Sequence, residues 1–223
     1  MPEGFHFPFT QVRVSRFLFL LISILLMFVV RPFLEGYIGI GVLLEMFFSF
    51  ILFSGVYAVS QKKHQVIIAL ALASPALVMR WSTHLVKSPA FSLVGNGFMI
   101  LFFLYVVIVF LSYLFKEDEV TADVIMAAVC GYVFIGLMWT FVFSVLEGLQ
   151  PGSFRLGEGQ SEDIRNFTYY SFVTQTTLGY GDITPLTAPA RSLSLLEAII
   201  GQLYLAVLIA RLVGIHISQS SRR

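Results

Sequence analysis

Charge is scarce in this chain. Only 12% of its 223 residues are Asp, Glu, Lys or Arg, about half of the roughly 25% found in soluble domains. So few ionic groups cannot cover the surface of a soluble fold of this length. Cysteine is reduced to one residue, Cys130, inside an apolar run. That excludes an intrachain disulfide and a cysteine-based metal site. The histidines His6, His64, His84 and His216 are scattered and show no metal-ligand spacing. The net charge of +1 offers no basic field for nucleic acid. No nucleophile–base pair or phosphate loop is visible, so an enzyme has no residues to rest on and no cofactor is implied. Internal repeats, which an alternating-access transporter would carry, are also lacking.

Apolar residues are abundant instead: 57% are hydrophobic and 15% aromatic. Disordered chains are poor in aromatics and rich in charge, so the remaining class is an integral membrane protein. A helix crossing about 30 Å of hydrocarbon needs about 20 mostly apolar residues. Five runs meet or approach that length, at 17–30, 37–59, 66–79 (which carries Pro75), 98–115 and 124–146. A sixth, 193–214, is broken only by Glu197, Gln202 and Arg211. The first run has the flanking arginines of a signal peptide, Arg13 and Arg16. No small-residue cleavage site follows Val30, however, so it reads as a retained helix.

Short connections at 61–64, 80–87 and 116–123 carry the charges. If the first helix starts in the cytoplasm, six spans return the C-terminus there. The inner side then holds Arg13, Arg16, Lys62, Lys63, Lys116, Arg211, Arg222 and Arg223. Arg31, Arg80, Lys87, Arg155, Arg165 and Arg191 lie outside, a small positive-inside excess. The stretch from Glu147 to Ser192 is too long for a simple loop and too polar for a span. It opens with the turn-rich Gly148-Leu149-Gln150-Pro151-Gly152-Ser153. Ser161 or Asp163 can then N-cap a short helix running from 164 to about 176.

The informative segment follows: Thr174-Gln175-Thr176-Thr177-Leu178-Gly179-Tyr180-Gly181-Asp182. At membrane depth, irregular backbone must be buried or line water. Gly179 and Gly181 can adopt positive φ at little cost, and alternation with L-residues lets successive carbonyls point one way. Four copies around an axis would stack rings of carbonyl oxygens able to replace the water shell of a potassium ion. The Thr177 hydroxyl would add an innermost ring. The negative C-terminal end of the short helix would favour a cation nearby.

This segment resembles the filter of the tetrameric potassium channel family, whose signature is TVGYG. Thr177, Leu178, Gly179, Tyr180 and Gly181 match it except at Leu178, and Asp182 follows. Tyr169-Tyr170-Ser171 sits where the family often has aromatics packing around the filter. Gly201 falls at the hinge glycine of the family's inner helix. The resemblance covers roughly residues 124–214. It implies an all-α membrane protein of six transmembrane helices, with a re-entrant pore helix and filter between helices five and six. Residues 1–116 would form a four-helix domain and 117–223 the pore domain. Four identical chains would assemble in the cell membrane, multi-pass, with both termini cytoplasmic. Potassium would sit at the filter carbonyls of Thr177, Leu178, Gly179 and Tyr180. Leu178 is expected to project away from the axis, against the pore helix.

Support for the filter is expected from Asp182, Tyr169, Tyr170, Thr176 and Glu197. Some family members pair the filter aspartate with a pore-helix carboxylate. Here that position is Val173, so Asp182 must use Tyr169, Tyr170 or water. Helical spacing from Gly201 puts Gln202, Ala206, Ile209 and Leu205 toward the lower cavity. Gly201 is either a gating hinge or a small residue permitting close packing. Gln202 either hydrates a cavity ion or bonds a neighbouring helix. The fourth run has no basic residue, whereas a voltage sensor needs several charges at about 2.3 kcal/mol each per 100 mV. The expectation is a channel without steep voltage gating. Glu45, mid-span, is either a sensor or paired with Arg80 or a hydroxyl. Glu117, Asp118, Glu119 and Asp123 either bind calcium, protons or a partner, or form a solvated linker.

Overall fold

The structure, a computed structural model, describes residues 16–34, 40–60, 62–82, 88–157 and 164–220. Arg13, Lys87, Arg222, Arg223, His6, His84 and the candidate caps Ser161 and Asp163 lie outside them. The elements run α1 (Arg16–Leu34), α2 (Ile40–Ala58), α3 (Lys63–Ser82), α4 (Pro89–Lys116), α5 (Ala122–Leu149), β1 (Phe154–Arg155), α6 (Ile164–Gln175), β2 (Thr184–Pro185) and α7 (Ala188–Ser220). Among the described residues, α3, α4, α5 and α7 are long and apolar enough to cross a membrane. Shorter apolar helical stretches lie at Phe17–Val30 and Glu45–Ala58.

Helix boundaries depart from the apolar runs where polar residues continue a helix. α4 begins at Pro89, nine residues before the fourth run, because proline suits the first helical turn. Gly95, Asn96 and Gly97, which interrupt the hydropathy, lie inside it. The Asn96 amide donates to Ser144 Oγ on α5 at 3.1 Å. α3 passes through Pro75 without ending. Arg80 therefore belongs to α3, not to the connection at 80–87. α7 extends past the sixth run at both ends.

α4 and α5 pack more extensively than any other pair. Five linker residues, 117–121, separate them, and the Thr121 hydroxyl accepts from the Val124 N–H at 3.3 Å to cap α5. Phe103 meets Phe134 at 5.0 Å edge-on and stacks on Phe141 at 5.8 Å. Phe110 stacks on Phe134 at 5.9 Å and meets Phe17 of α1 at 5.4 Å. In lipid, such packing rather than water exclusion drives helix association, and each aromatic pair adds about 0.5–1.5 kcal/mol. The Cys130 thiol is buried facing the Phe17 carbonyl at 3.6 Å. One hydrophobic cluster runs from α1 to α7, across residue 116.

An ion pair sits in this apolar setting. Arg80 Nε donates to Glu45 Oε2, and both side chains are largely buried. The guanidinium lies 4.4 Å above the Phe48 ring and 5.9 Å from that of Phe141. Trp81 Nε1 donates to Ser49 Oγ at 3.2 Å on the same α2–α3 contact. Glu45 is thus the partner of Arg80. Arg80→Met should cost about 3 kcal/mol or more by stranding the carboxylate, while the double variant Arg80→Met/Glu45→Leu should recover most of that loss. Thermal unfolding in detergent measures both, and equal losses in the two would contradict the pairing.

Candidate functional site

α6 has 12 residues and buries Phe167, Thr168, Tyr170, Ser171, Val173 and Gln175. Those positions face α5 and α7, which flank it. Its C-terminus is wound tightly. The Thr176 N–H donates to Phe172 O at 3.1 Å and the Thr177 N–H to Thr174 O at 2.9 Å. The Leu178 and Gly179 N–H groups both reach Val173 O, at 3.0 and 3.3 Å. One carbonyl therefore turns the chain out of the helix.

Beyond it, backbone handedness alternates. Thr177 has φ +59°, Gly179 +60° and Gly181 +79°. The glycines are expected there. Thr177 is not, and a left-handed L-residue costs roughly 1–2 kcal/mol. Its Oγ1 donates to the Thr176 carbonyl at 2.6 Å. Residues 176–182 are all exposed in the single chain. Leu178 is 56% and Tyr180 68% exposed. In the single chain Leu178 is therefore not buried against α6, where the sequence suggested it would lie, because α6 ends before the side chain and only the backbone N–H is held.

Buried polar contacts bracket α6. Gln175 lies between two glycines: a Cβ at Gly136 would fall 2.5 Å from Gln175 Oε1, and one at Gly201 would fall 2.6 Å from the Gln175 carbonyl. Gln175 Nε2 donates to Tyr132 O at 2.8 Å. Its carbonyl accepts from Tyr132 OH and from Gln202 Nε2, each at 3.5 Å. Ser171 Oγ lies 2.7 Å from the Gly136 carbonyl and 2.5 Å from Glu197 Oε1. Glu197 is fully buried, and among the described residues its Oε2 has no hydrogen-bond partner. Ser194 gives its hydrogen to Ala190 O, so Tyr170 OH donates to Ser194 Oγ at 2.6 Å.

A second bracket holds the far end. The buried Glu147 carboxylate accepts from the N–H groups of Gly152 (2.6 Å) and Phe154 (3.1 Å). Gly152 makes this turn at φ +81°. Ser153 O accepts from Leu186 N–H at 2.8 Å, and β1 pairs antiparallel with β2, Phe154 opposite Pro185 and Arg155 opposite Thr184. Phe154 packs edge-on against Phe143, Phe167 and Tyr170 at 5.3–5.4 Å. The Tyr169 phenol lies close to Asp182; hydrogen bonding to that carboxylate, with burial and the carboxylate's charge, pushes the phenol above its ordinary value. The group thus stays a protonated donor at neutral pH.

The expected site residues separate into groups. Residues 177–181 form one continuous strip with Thr176 at its root. Tyr169 meets Asp182, while Tyr170 is buried on the opposite side against Ser194, so the tyrosine pair does not act together. Gly201 lies within α7, closely packed on the end of α6. Gln202, Ala206 and Ile209 share the exposed side of α7. Leu205 does not, because it packs against the core. Glu117 is half-buried; Asp118, Glu119 and Asp123 are exposed. Gln175, Gly136, Ser171 and Glu147 escaped the sequence reading. Small residues in apolar helices were the available signal for Gly136.

Comparison with known proteins falls on this same region. Residues 133–216 match a protein family described as "Ion channel". A stretch of 64 residues is 35% identical to two pore potassium channel c of Oryza sativa subsp. japonica, covering 29% of this chain and 14% of that protein. The chain thus spans a small fraction of that relative's length. No solved structure matches. The matched segment begins in α5, includes α6 and the glycine-rich strip, and ends in α7. The stretch that is similar to that family therefore coincides with the bracketed turn.

The glycine contacts give a direct test. Gly136→Ala and Gly201→Ala should each destabilise by about 1–3 kcal/mol through overpacking against Gln175. Gly97, with nothing within 4 Å of its would-be Cβ, should accept alanine with no loss. Melting temperatures of the three variants check this.

Proposed function

We propose that the protein conducts potassium ions passively through a pore built by four copies of this chain. The observation that carries the reading is the alternation of left-handed backbone at Thr177, Gly179 and Gly181. That geometry turns successive carbonyls to one side, where four strips around an axis make stacked oxygen rings for a dehydrated ion. One strip per chain requires four chains to close each ring. The exposed Leu178 and Tyr180 side chains then pack against neighbouring copies. The α6 C-terminus aims its dipole at the cavity, favouring a cation. Gln202, Ala206 and Ile209 line the passage below. The similarity to a protein named as a potassium channel agrees with this ion.

The reading includes six spans, with α1 and α2 crossing the cell membrane, α6 re-entering, and both termini on the cytoplasmic side. Conduction needs no catalytic group or cofactor. α4 carries one basic residue, Lys116, at its end, so steep voltage dependence is not expected. A second reading, a less selective cation channel, draws on Leu178, which stands where the signature has valine and is more than half exposed. Purified protein in liposomes should pass potassium with a near-linear current–voltage relation, and reversal potentials in mixed sodium and potassium separate the two readings. Gly179→Ala should cut flux about tenfold or more, since an added Cβ costs roughly 1–2 kcal/mol per copy at that φ. Absence of flux from well-folded wild-type protein would instead favour a regulatory subunit of another channel.

A further inference from the structure

Three helices meet at one buried hydroxyl. Ser171 of α6 is fully buried, with its Oγ 2.7 Å from the Gly136 carbonyl of α5 and 2.5 Å from Glu197 Oε1 of α7. Both are hydrogen-bond distances. A hydroxyl has one hydrogen and can give it to only one of two acceptors. A backbone carbonyl never donates, so the second bond needs a hydrogen carried by the carboxyl group. An ionised Glu197 has none, and Oγ would then face one of the two oxygens lone pair to lone pair. A protonated Glu197 satisfies both distances: its O–H donates to Ser171 Oγ, whose own hydrogen goes to the Gly136 carbonyl.

The surroundings agree. Among the described residues no Lys, Arg or His pairs with Glu197. Of the elements packed around it, α5 brings the Tyr132 phenol near and α6 the Tyr170 phenol. Neither serves the carboxyl group, since Tyr132 OH donates to Gln175 O and Tyr170 OH to Ser194 Oγ. The second oxygen, Oε2, is buried without a partner. Such isolation costs far more for half of an ionised carboxylate than for the carbonyl oxygen of a neutral acid. We propose that Glu197 is a neutral carboxylic acid at neutral pH, and that its proton ties α7 to α6 and, through Ser171, to α5. Its bond is to the helix from which residues 176–182 emerge, so Glu197 is a positioning residue. With the proton held only in the folded chain, stability falls as pH rises above the ordinary carboxylate range.

Infrared spectroscopy of the full chain in detergent at neutral pH tests the assignment, because a carboxylic acid absorbs apart from carboxylates. Wild type should show an acid carbonyl band that Glu197→Gln lacks. Ser171→Ala, which removes the acceptor of the proton, should keep the band but displace it, so the band is assigned even if the glutamine variant does not fold. Glutamine carries a donor that no pH in the working range removes. The melting temperature of Glu197→Gln should therefore gain on that of wild type by about 5 °C or more between about pH 5 and pH 8. No acid band in folded wild type would overturn the proposal. So would a band unmoved by Ser171→Ala, or melting temperatures of wild type and Glu197→Gln that run parallel with pH. Neither readout measures ion flux, so the result is independent of conduction.

Discussion

A helix of 12 residues is too short to cross a bilayer, so one that ends at membrane depth must find partners for its backbone inside the protein. On the proposed reading, in which α6 ends at membrane depth, this constraint governs the last third of the chain. α6 is tied at its C-terminus by bonds that return to its own last turn and by contacts to both flanking helices. Val173 O takes two N–H groups, and the Gln175 carbonyl lies within reach of Tyr132 and Gln202. Close approach is possible only because Gly136 and Gly201 present no side chain on the two sides of Gln175. The polar requirement and the small residues are therefore two aspects of one device.

The same device explains how Thr177 holds a left-handed conformation that its side chain disfavours. A strained residue persists when its surroundings over-determine it. Its N–H is bonded to Thr174 O, the next two N–H groups are bonded to Val173 O, and its hydroxyl returns to Thr176 O. Farther along, Asp182 lies beside Tyr169, and Ile183 is buried. β2, the Ser153 carbonyl and Glu147 then link the exit of the strip to the end of α5. Both ends of the strip are fixed to the helical frame while its middle stays exposed. On the proposed reading, that distribution leaves the backbone oxygens of the strip free to face an ion.

Hydropathy made the helices legible because a span needs length and apolarity, and both are visible in a single row of letters. The ends were less legible. Pro89 to Gly97 fell outside the fourth apolar run because Gly95, Asn96 and Gly97 dilute it, yet Asn96 is satisfied by Ser144 from another helix, a partner that periodicity cannot reveal. The glycine-rich strip was readable because only glycine adopts positive φ freely; Thr177 was not, because its conformation is imposed by hydrogen bonds rather than by residue type. The sequence places Glu197 one turn before Gly201. Its partner, Ser171, and the role of Gln175 required the packing of three helices. Leu205 shows the limit of spacing alone, since one step around α7 separates an exposed face from the core.

The ionisable groups in the apolar helices complete the argument about what can drive this molecule. Glu45 is met by Arg80, Glu197 by a serine hydroxyl and Arg211 by two backbone carbonyls. Each lies on α2, α3 or α7; within α4 the lone charge is Lys116 in the last turn. A transmembrane field therefore finds no charge to act on along the body of α4. Yet α4 is packed along α5 by stacked aromatics and tied to α7 through Arg211. Any displacement of α4 must repack Phe103 and Phe110 against Phe134, or break the Arg211 bonds at its end.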